Sequence, residues 1–209
     1  MNHLVLLGDS IFDNRAYVAG GPAVIDQVKQ GMASNWKASL LAVDGDTSAL
    51  VPQQLLRLPQ DATHLVVSVG GNDALSCMPS LEASASSVKQ GLSLLSKIKA
   101  DFQSNYRALI LALLNLDRPL MVCTVYDSVP GLPTELKTAL SLFNDVILRE
   151  AIQHRFPVLD LRMICTDPGD YSAVSPIEPS SLGGAKLVGR MVHAMMLHDF
   201  TKRECHVYV

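Results

Sequence analysis

The sequence of 209 residues has little of what several protein classes require. Its four cysteines form no C-x-x-C pair, which argues against a zinc site and against the disulfide framework of a small secreted domain. Lys and Arg number 17 against 20 Asp and Glu, so no basic surface is available for nucleic acid. No segment reaches the roughly 18 apolar residues that a membrane-spanning helix needs. The composition therefore excludes nucleic-acid and membrane-inserted partners.

The start of the chain also lacks the features of a secretory signal. Met1-Asn2-His3 enters an apolar run that ends at Gly8, with neither a charged start nor a small-residue cleavage site. We therefore expect a cytoplasmic location, unless a leader has been removed. With 48% hydrophobic and 18% charged residues, we expect one folded domain over residues 1–209.

Short β-like runs alternate along the chain with longer helical patterns. The β-like runs carry apolar residues on both faces, as a parallel sheet covered by helices on both sides requires. We predict an α/β fold with five parallel strands, at residues 4–7, 38–43, 65–69, 120–125 and 157–161. Apolar stripes predict one long helix or two consecutive ones over residues 88–113, a helix over residues 136–151, and a last helix that begins after Ser180.

Each of the first three predicted strands ends in a polar loop that contains glycine. The loops are Gly8-Asp9-Ser10, Asp44-Gly45-Asp46-Thr47-Ser48 and Gly70-Gly71-Asn72-Asp73. Ligands of open parallel sheets bind outside the carboxyl ends of the strands, so we expect these loops to converge on one site.

Several motifs that serve other functions of this architecture are absent. The sequence has no G-K-[ST] of a Walker A loop and no G-x-G-x-x-G after the first strand, which disfavours nucleotide binding. The first loop also fails the G-x-S-x-G pattern of the α/β-hydrolase elbow. No metal-ligand spacing such as H-x-x-x-H occurs, and we expect neither a metal nor a cofactor.

The polar loops resemble the motifs of the SGNH (GDSL) hydrolases. Residues 8–14 resemble their GDS signature, Gly45 matches their second motif, and residues 70–73 match their third, in the family's order and spacing. The resemblance implies a flavodoxin-like three-layer fold and the hydrolysis of esters through an acyl-enzyme.

The resemblance also implies roles for individual residues. Ser10 would be the nucleophile, and an oxyanion hole would form from the backbone N–H groups of Ser10 and Gly45 and the side-chain amide of Asn72. Asp9 and Asp73 would organise the loops. Taken singly, these residues have structural alternatives: Ser10 could cap a following helix, and the glycines could serve turns.

The family's last motif, an Asp and a His three residues apart, is changed in this chain. Ser175 stands where the Asp is expected and Glu178 where the His is expected. None of the six histidines falls where this fold would use one, and His206 lies in a tail that the pattern does not place. Asp167 and Asp170, in the same loop, are alternative acids with an ordinary explanation as solvated loop charges.

Two functions remain open from the sequence. The first is a serine esterase for small acyl esters, in which Glu178 is the general base and burial raises its pKa from about 4.3 towards 6 or 7. Its activity would then persist at pH values where a His-dependent enzyme fails. The second is a catalytically degenerate module that binds an ester, acyl or glycan ligand. Short loops predict an open, shallow cleft, with Tyr126 the best placed aromatic residue, and leave the oligomeric state unspecified.

Overall fold

The computed structural model describes residues 1–202 and 204–209, and its centre is a parallel β-sheet. The strands are β1 (Asn2–Gly8), β2 (Trp36–Leu40), β3 (His64–Ser68), β4 (Leu120–Cys123), β5 (Val158–Leu159) and β6 (Val207–Tyr208). Their order in the sheet is β2-β1-β3-β4-β5-β6. The first five follow the flavodoxin-like order, so the predicted fold class is confirmed.

Helices cover both faces of this sheet. In chain order they are α1 (Val24–Gly31), α2 (Val51–Gln54), α3 (Gly71–Ser76), α4 (Met78–Leu81), α5 (Val88–Leu114), α6 (Thr134–His154), α7 (Leu161–Ile164) and α8 (Ser181–Leu197). Short 3₁₀ turns lie at Arg15–Tyr17, Leu55–Arg57 and Pro168–Asp170. Among the helices of the described residues, none has the length and apolar character needed to cross a membrane.

The alternation of side chains along β1 shows why the sheet is buried on both sides. Leu4 and Leu6 belong to the core cluster packed under α1 and α8, whereas Val5 and Leu7 belong to the cluster under α5 and α6. Successive side chains of a strand point to opposite faces, so an unbroken apolar run fills two cores at once.

The strand count and three strand ends differ from the prediction, since β2, β4 and β5 each end two or three residues early. A sixth strand, β6, pairs with β5 at the sheet edge, because the carbonyl of His206 accepts from Val158 N at 2.7 Å. A strand of two residues has no periodicity that a sequence pattern could reveal. The fourth strand ends at Cys123 because both backbone polar groups of Val125 bond to the side chain of Asn144, at 2.8 Å each.

The predicted helices are confirmed, and their ends are set by local capping. Ser87 accepts from Gln90 N at the start of α5, which is one continuous helix, and Ser180 accepts from Gly183 N at the start of α8. The sequence pattern missed α1, whose apolar stripe is only three buried residues long.

Gly8 has a conformation that only glycine tolerates at the end of β1. Its φ is +124°, and a Cβ added there would lie 1.8 Å from the carbonyl oxygen of Ser68. Because that oxygen belongs to the paired backbone of β3, we expect Gly8→Ala to lower the free energy of unfolding by about 3 kcal/mol. Urea denaturation measures this loss. Gly189→Ala is the matched control, since nothing lies within 4 Å of the added Cβ, and an equal unfolding midpoint for both variants would contradict the expectation.

Candidate active site

The sheet order brings the three glycine-containing loops together. β1 lies between β2 and β3, so the loops that follow these strands emerge side by side at the carboxyl edge. A fourth segment, residues 172–180, joins them, because Asn14 in the first loop donates through Nδ2 to the carbonyl of Pro179 at 3.1 Å. The predicted convergence therefore occurs, with the segment around Glu178 as its fourth wall.

Ser10 lies in a tight turn directly after β1. The carbonyl of Asp9 accepts from the backbone of Phe12 and Asp13 at 3.1 Å each, and its Oδ1 accepts from Ile11 N at 3.1 Å. Ser10 itself is 6% exposed and lines a pocket together with Asp9. The alternative role of Ser10 as a helix cap does not apply, because the first α-helix begins only at Val24.

Asp9 is a fully buried carboxyl group beside the serine. Burial raises its pKa well above the ordinary value, and the nearby carboxylates of Glu178 and Asp73 raise it further, against the opposing hydrogen bond from Ile11. The hydrogen bonds that Asp9 accepts all come from the backbone of the first loop, as expected for a residue that organises this loop.

The groups expected to form an oxyanion hole lie on adjoining loops. Gly45 is at the third position of a turn closed by a 3.1 Å bond from Asp46 N to Val43 O, and its φ of +85° is the conformation this turn demands. Asn72 donates one of its two amide hydrogens to the Asp46 carbonyl at 3.0 Å. In the described chain, the N–H groups of Ser10 and Gly45 donate to no protein acceptor, so both are free to bind an anionic oxygen.

Asp73, Ser48 and Gln54 fasten these loops to the sheet. Asp73 accepts from the Ser48 hydroxyl at 2.6 Å and from its backbone N–H at 2.9 Å. Gln54 accepts from Gly8 N at 2.9 Å and donates to both Gly8 O and Asp46 Oδ2 at 2.7 Å. All three side chains are buried, which fixes the loop that carries Gly45 relative to the end of β1.

Glu178 is held by its backbone on both sides. Three successive carbonyls of this segment accept hydrogen bonds: Ile177 from the Tyr126 hydroxyl at 2.6 Å, Glu178 from Ser172 N at 2.8 Å, and Pro179 from Asn14. The N–H of Glu178 donates to the carbonyl of Ser175 at 3.0 Å. The side chain is thus aimed by a clamped backbone.

The carboxylate of Glu178 is 5% exposed and lines the same pocket as Ser10. Burial raises its pKa to about 7; the neighbouring Ser10 side chain lowers the value and the charge of Asp44 raises it. Its Oε2 has no hydrogen-bond partner among the described residues. A buried carboxylate that shares a pocket with the serine and keeps an unused acceptor can exchange a proton near neutral pH.

The other candidate bases lie elsewhere. Among the described residues that line this pocket there is no histidine. His3 lies 2.9 Å from Asp61 and 2.8 Å from Ser39 near the start of β1, and His198 lies 3.0 Å from the Tyr208 hydroxyl. Residues Asp167 and Asp170 are both occupied by ion pairs with Lys186.

A pocket of about 290 Å³ extends from Ser10 between the helices. Its walls are almost wholly apolar and come from α3, α4, α5 and α6 and the segment after β4; they include Leu75, Met78, Leu95, Ile98, Leu140 and Phe143. Besides the open cleft expected from the short loops, the structure thus has an apolar pocket between packed helices. No local sequence pattern reveals such a gap. Tyr126 lines this pocket as anticipated.

Sequence reasoning missed the residues that hold the site. Asn14 joins the first loop to the Glu178 segment and also accepts from Val24 N at 2.9 Å, at the start of α1. Gln54 and Ser48 act in the same way on the second loop. In the sequence they are visible only as polar side chains inside a motif or within an apolar helix turn. Their supporting roles can be recognised only once it is known that these side chains are buried.

Solved structures with this fold include lipases and esterases. A lipase from a goat rumen metagenome is 16% identical, with a TM-score of 0.72 over 93% of this chain and 97% of that chain. The esterase EstA of Pseudoalteromonas sp. is 14% identical, with a TM-score of 0.64 over 94% and 97%. An extracellular lipase of Streptomyces rimosus is 17% identical, with a TM-score of 0.62 over 94% and 99%. At these identities the likeness establishes the fold.

The chain belongs to the GDSL-like lipase/acylhydrolase family, whose model matches residues 6–184. This match includes all four loops of the site and confirms the family resemblance of the sequence motifs. No curated protein sequence matches the chain.

Proposed function

We propose that this protein is a serine esterase that hydrolyses carboxylic esters through an acyl-enzyme, with Ser10 as nucleophile and Glu178 as general base. The observation that carries this proposal is the buried Glu178 carboxyl group, which lines the same pocket as Ser10 and has its pKa raised to about 7. A base with a pKa near the working pH combines a useful ionised fraction with real affinity for the proton.

In the first step the Glu178 carboxylate takes the proton of the Ser10 hydroxyl while Oγ attacks the ester carbonyl carbon. The free N–H groups of Ser10 and Gly45 and the Asn72 amide then stabilise the negative oxygen of the tetrahedral intermediate. Neutral Glu178 returns the proton to the leaving alcohol. Water repeats the sequence on the acyl-enzyme, which releases the carboxylic acid and regenerates Ser10.

A carboxylate base changes the charge balance of this reaction and accounts for Ser175. A histidine base becomes a cation when it accepts the proton, and an orienting aspartate stabilises that cation. Glu178 instead becomes neutral, so one negative charge moves from its carboxylate to the substrate oxygen. No cation needs an aspartate, and the clamped carbonyls of residues 177–179 supply the orientation.

The apolar pocket beside Ser10 suits the acyl part of the ester. Its volume of about 290 Å³ is at the small end of ligand pockets, which supports acyl chains of short to medium length. The test of the whole proposal is hydrolysis of p-nitrophenyl esters together with covalent labelling by a fluorophosphonate. The structural neighbour EstA is inhibited by monoethylphosphonate, a related reagent.

Filling the pocket is expected to shift the preferred chain length. Leu140 lines the pocket from α6, and Leu140→Trp should lower kcat/KM for p-nitrophenyl octanoate about tenfold while the value for the acetate changes by less than about twofold. Ile152→Trp is the matched control, because Ile152 is 63% exposed on the same helix. Equal losses for acetate and octanoate would show that the pocket does not hold the acyl chain.

The alternative function, a binding module without turnover, rests on the missing Asp and His pair. It predicts that the folded protein binds an acyl ligand in this pocket and that the fluorophosphonate leaves Ser10 unlabelled. The labelling experiment therefore separates the two functions.

A further inference from the structure

The loops around Ser10 carry acidic residues and no basic ones. Residues 9–14, 41–50, 69–77 and 172–180 contain no Lys, Arg or His. Their six acids are Asp9, Asp13, Asp44, Asp46, Asp73 and Glu178. Cations next to this region are already paired: Arg15 binds Asp26 through two bonds of 2.7 and 2.8 Å, and Lys137 lies 3.6 Å from Asp127. The chemistry thus lies in a locally negative environment.

Three of these residues form one acidic rim beside Glu178. Asp44 is exposed, and its Oδ2 accepts from the Tyr17 hydroxyl at 2.6 Å. The backbone N–H of Asp44 donates to Asp13 Oδ2 at 3.1 Å, which draws the carboxylate of the first loop towards the second. Asp46 lies two positions after Asp44, and its carboxylate accepts a hydrogen bond from the side chain of Gln54. The charge of Asp44 reaches Glu178, since it raises the pKa of that side chain.

The acidic rim lies on the alcohol side of the proposed reaction. The apolar pocket accounts for the acyl group, and none of Asp13, Tyr17 and Asp44 lines it. The base must return its proton to the leaving oxygen, so the alcohol departs next to Glu178. Ser172 joins the segment of Glu178 to the rim, because its hydroxyl donates to the carbonyl of Tyr17 and its backbone N–H donates to the carbonyl of Glu178 at 2.8 Å. The hydroxyl of Tyr17 in turn donates to Asp44 of the rim. The alcohol therefore faces this rim.

Glu178 supplies an independent sign that a ligand belongs next to its carboxylate. Its side chain is more than nine-tenths buried and lines the pocket, yet Oε2 has no hydrogen-bond partner among the described residues. A buried acceptor without a partner is costly to a folded protein unless a ligand or water completes it.

We propose that this site prefers esters whose alcohol carries a quaternary ammonium group. The carboxylates of Asp13, Asp44 and Asp46 attract a cation at the alcohol position, and the half-buried Tyr17, bonded to Asp44, is an aromatic residue of the kind that such groups bind. The same rim repels esters with phosphate or sulfonate in the alcohol. This inference rests on the proposed esterase function and names its substrate class.

Three hexanoate esters of similar size test the preference. They are the choline ester, its uncharged 3,3-dimethylbutyl analogue and the 2-sulfoethyl ester. At low ionic strength kcat/KM should be about tenfold higher for the choline ester than for the neutral one, and about tenfold lower again for the sulfoethyl ester. Both ratios should shrink towards one in high salt, because exposed charges are screened.

Charge variants locate the effect. Asp44→Asn keeps an acceptor for Tyr17 and removes the charge, so the ratio of choline to neutral ester should fall about threefold. Asp101→Asn, an exposed carboxylate on α5, is the control and should leave the ratio unchanged. Equal kcat/KM for the three esters, or a ratio that Asp44→Asn does not alter, overturns the inference.

A binding measurement keeps the inference separate from the esterase proposal. Calorimetry on the Ser10→Ala protein compares hexyltrimethylammonium with hexanesulfonate, and the cation should bind about tenfold more tightly or better. Failure to hydrolyse the neutral ester would count against the esterase proposal alone. Equal binding of the two ions, or tighter binding of the sulfonate, would contradict the selectivity of the rim.

Discussion

Replacing Ser10 with alanine is expected to abolish fluorophosphonate labelling and to lower kcat for p-nitrophenyl hexanoate by about 10³-fold or more. Without Oγ no acyl-enzyme forms, and the remaining rate comes from the oxyanion donors and from substrate binding. Intact-protein mass spectrometry detects the covalent adduct, and stopped-time assays measure the residual hydrolysis. The loss should appear in kcat, since the pocket that binds the acyl chain is left intact.

Ser68 provides the matched control for this experiment. It is also a buried serine that lines the pocket, but it lies at the end of β3. Ser68→Ala should retain labelling and hydrolysis within a few-fold of the original protein. If Ser10→Ala is still labelled, or if Ser68→Ala abolishes the label, Ser10 is not the nucleophile. A folded wild-type protein that takes no label would support the binding module instead.

Replacing Glu178 with glutamine is expected to lower kcat/KM by about 10² to 10⁴-fold, the usual contribution of a general base. The amide preserves size but cannot accept the Ser10 proton. In the wild-type protein kcat/KM should rise with pH and level off above about 7, because Glu178 must be deprotonated and its pKa is about 7. This replaces the expectation from the sequence that activity persists at pH values where a His-dependent enzyme fails, since a pKa of about 7 places the base in the range of histidine. The pH profile of kcat/KM measures it.

Although Glu178→Gln lowers activity, it should raise the free energy of unfolding at neutral and alkaline pH. The pKa of Glu178 is about 7 in the folded protein and near 4.5 when unfolded, so the folded state binds more protons between these values. The free energy of unfolding therefore falls as pH rises from about 4.5 to 7, by up to about 3 kcal/mol for a pKa difference of this size. Glu178→Gln avoids this cost and should be more stable than wild type at pH 8, with a smaller difference near pH 4. Urea denaturation at both pH values measures it.

Glu150 offers a matched control for the glutamine substitution. It is the other glutamate that is almost fully buried among the described residues, and it pairs with Arg107 at 3.2 Å and His154 at 3.4 Å, away from the pocket. Glu150→Gln should keep activity and lose stability. Unchanged turnover in Glu178→Gln would show that Glu178 is not the base. The double variant Glu178→His with Ser175→Asp, which restores the family's usual pair, should recover part of the activity lost in Glu178→Gln.

The loops of the site were predictable because their signals are local. A glycine-containing loop directly after an apolar strand marks the carboxyl edge of a sheet, and residues 8–14, 45 and 70–73 each carry that mark. The replacement of the family's His by Glu178 is also visible in the sequence alone. The sixth strand was not predictable, because Val207 and Tyr208 are too few to form a pattern and pair only with β5.

The supporting contacts could not be read in the same way because they join distant parts of the chain. Asn14 and Pro179 are bonded across 165 positions, and Gln54 and Gly8 across 46. Buried amides such as these serve backbone groups that lose their water, so their roles depend on burial that folding creates.

The sequence by itself determined the α/β fold, the family, the nucleophile candidate and the identity of the side chain at position 178. Each of these follows from short patterns of apolar and polar residues or from motifs in order. Only the tertiary structure decided that Glu178 is buried in the same pocket as Ser10, that its pKa rises to about 7, and that this pocket has a volume of about 290 Å³. Desolvation and cavity shape arise from packing between distant segments, so the chemistry of the carboxylate exists only in the folded chain.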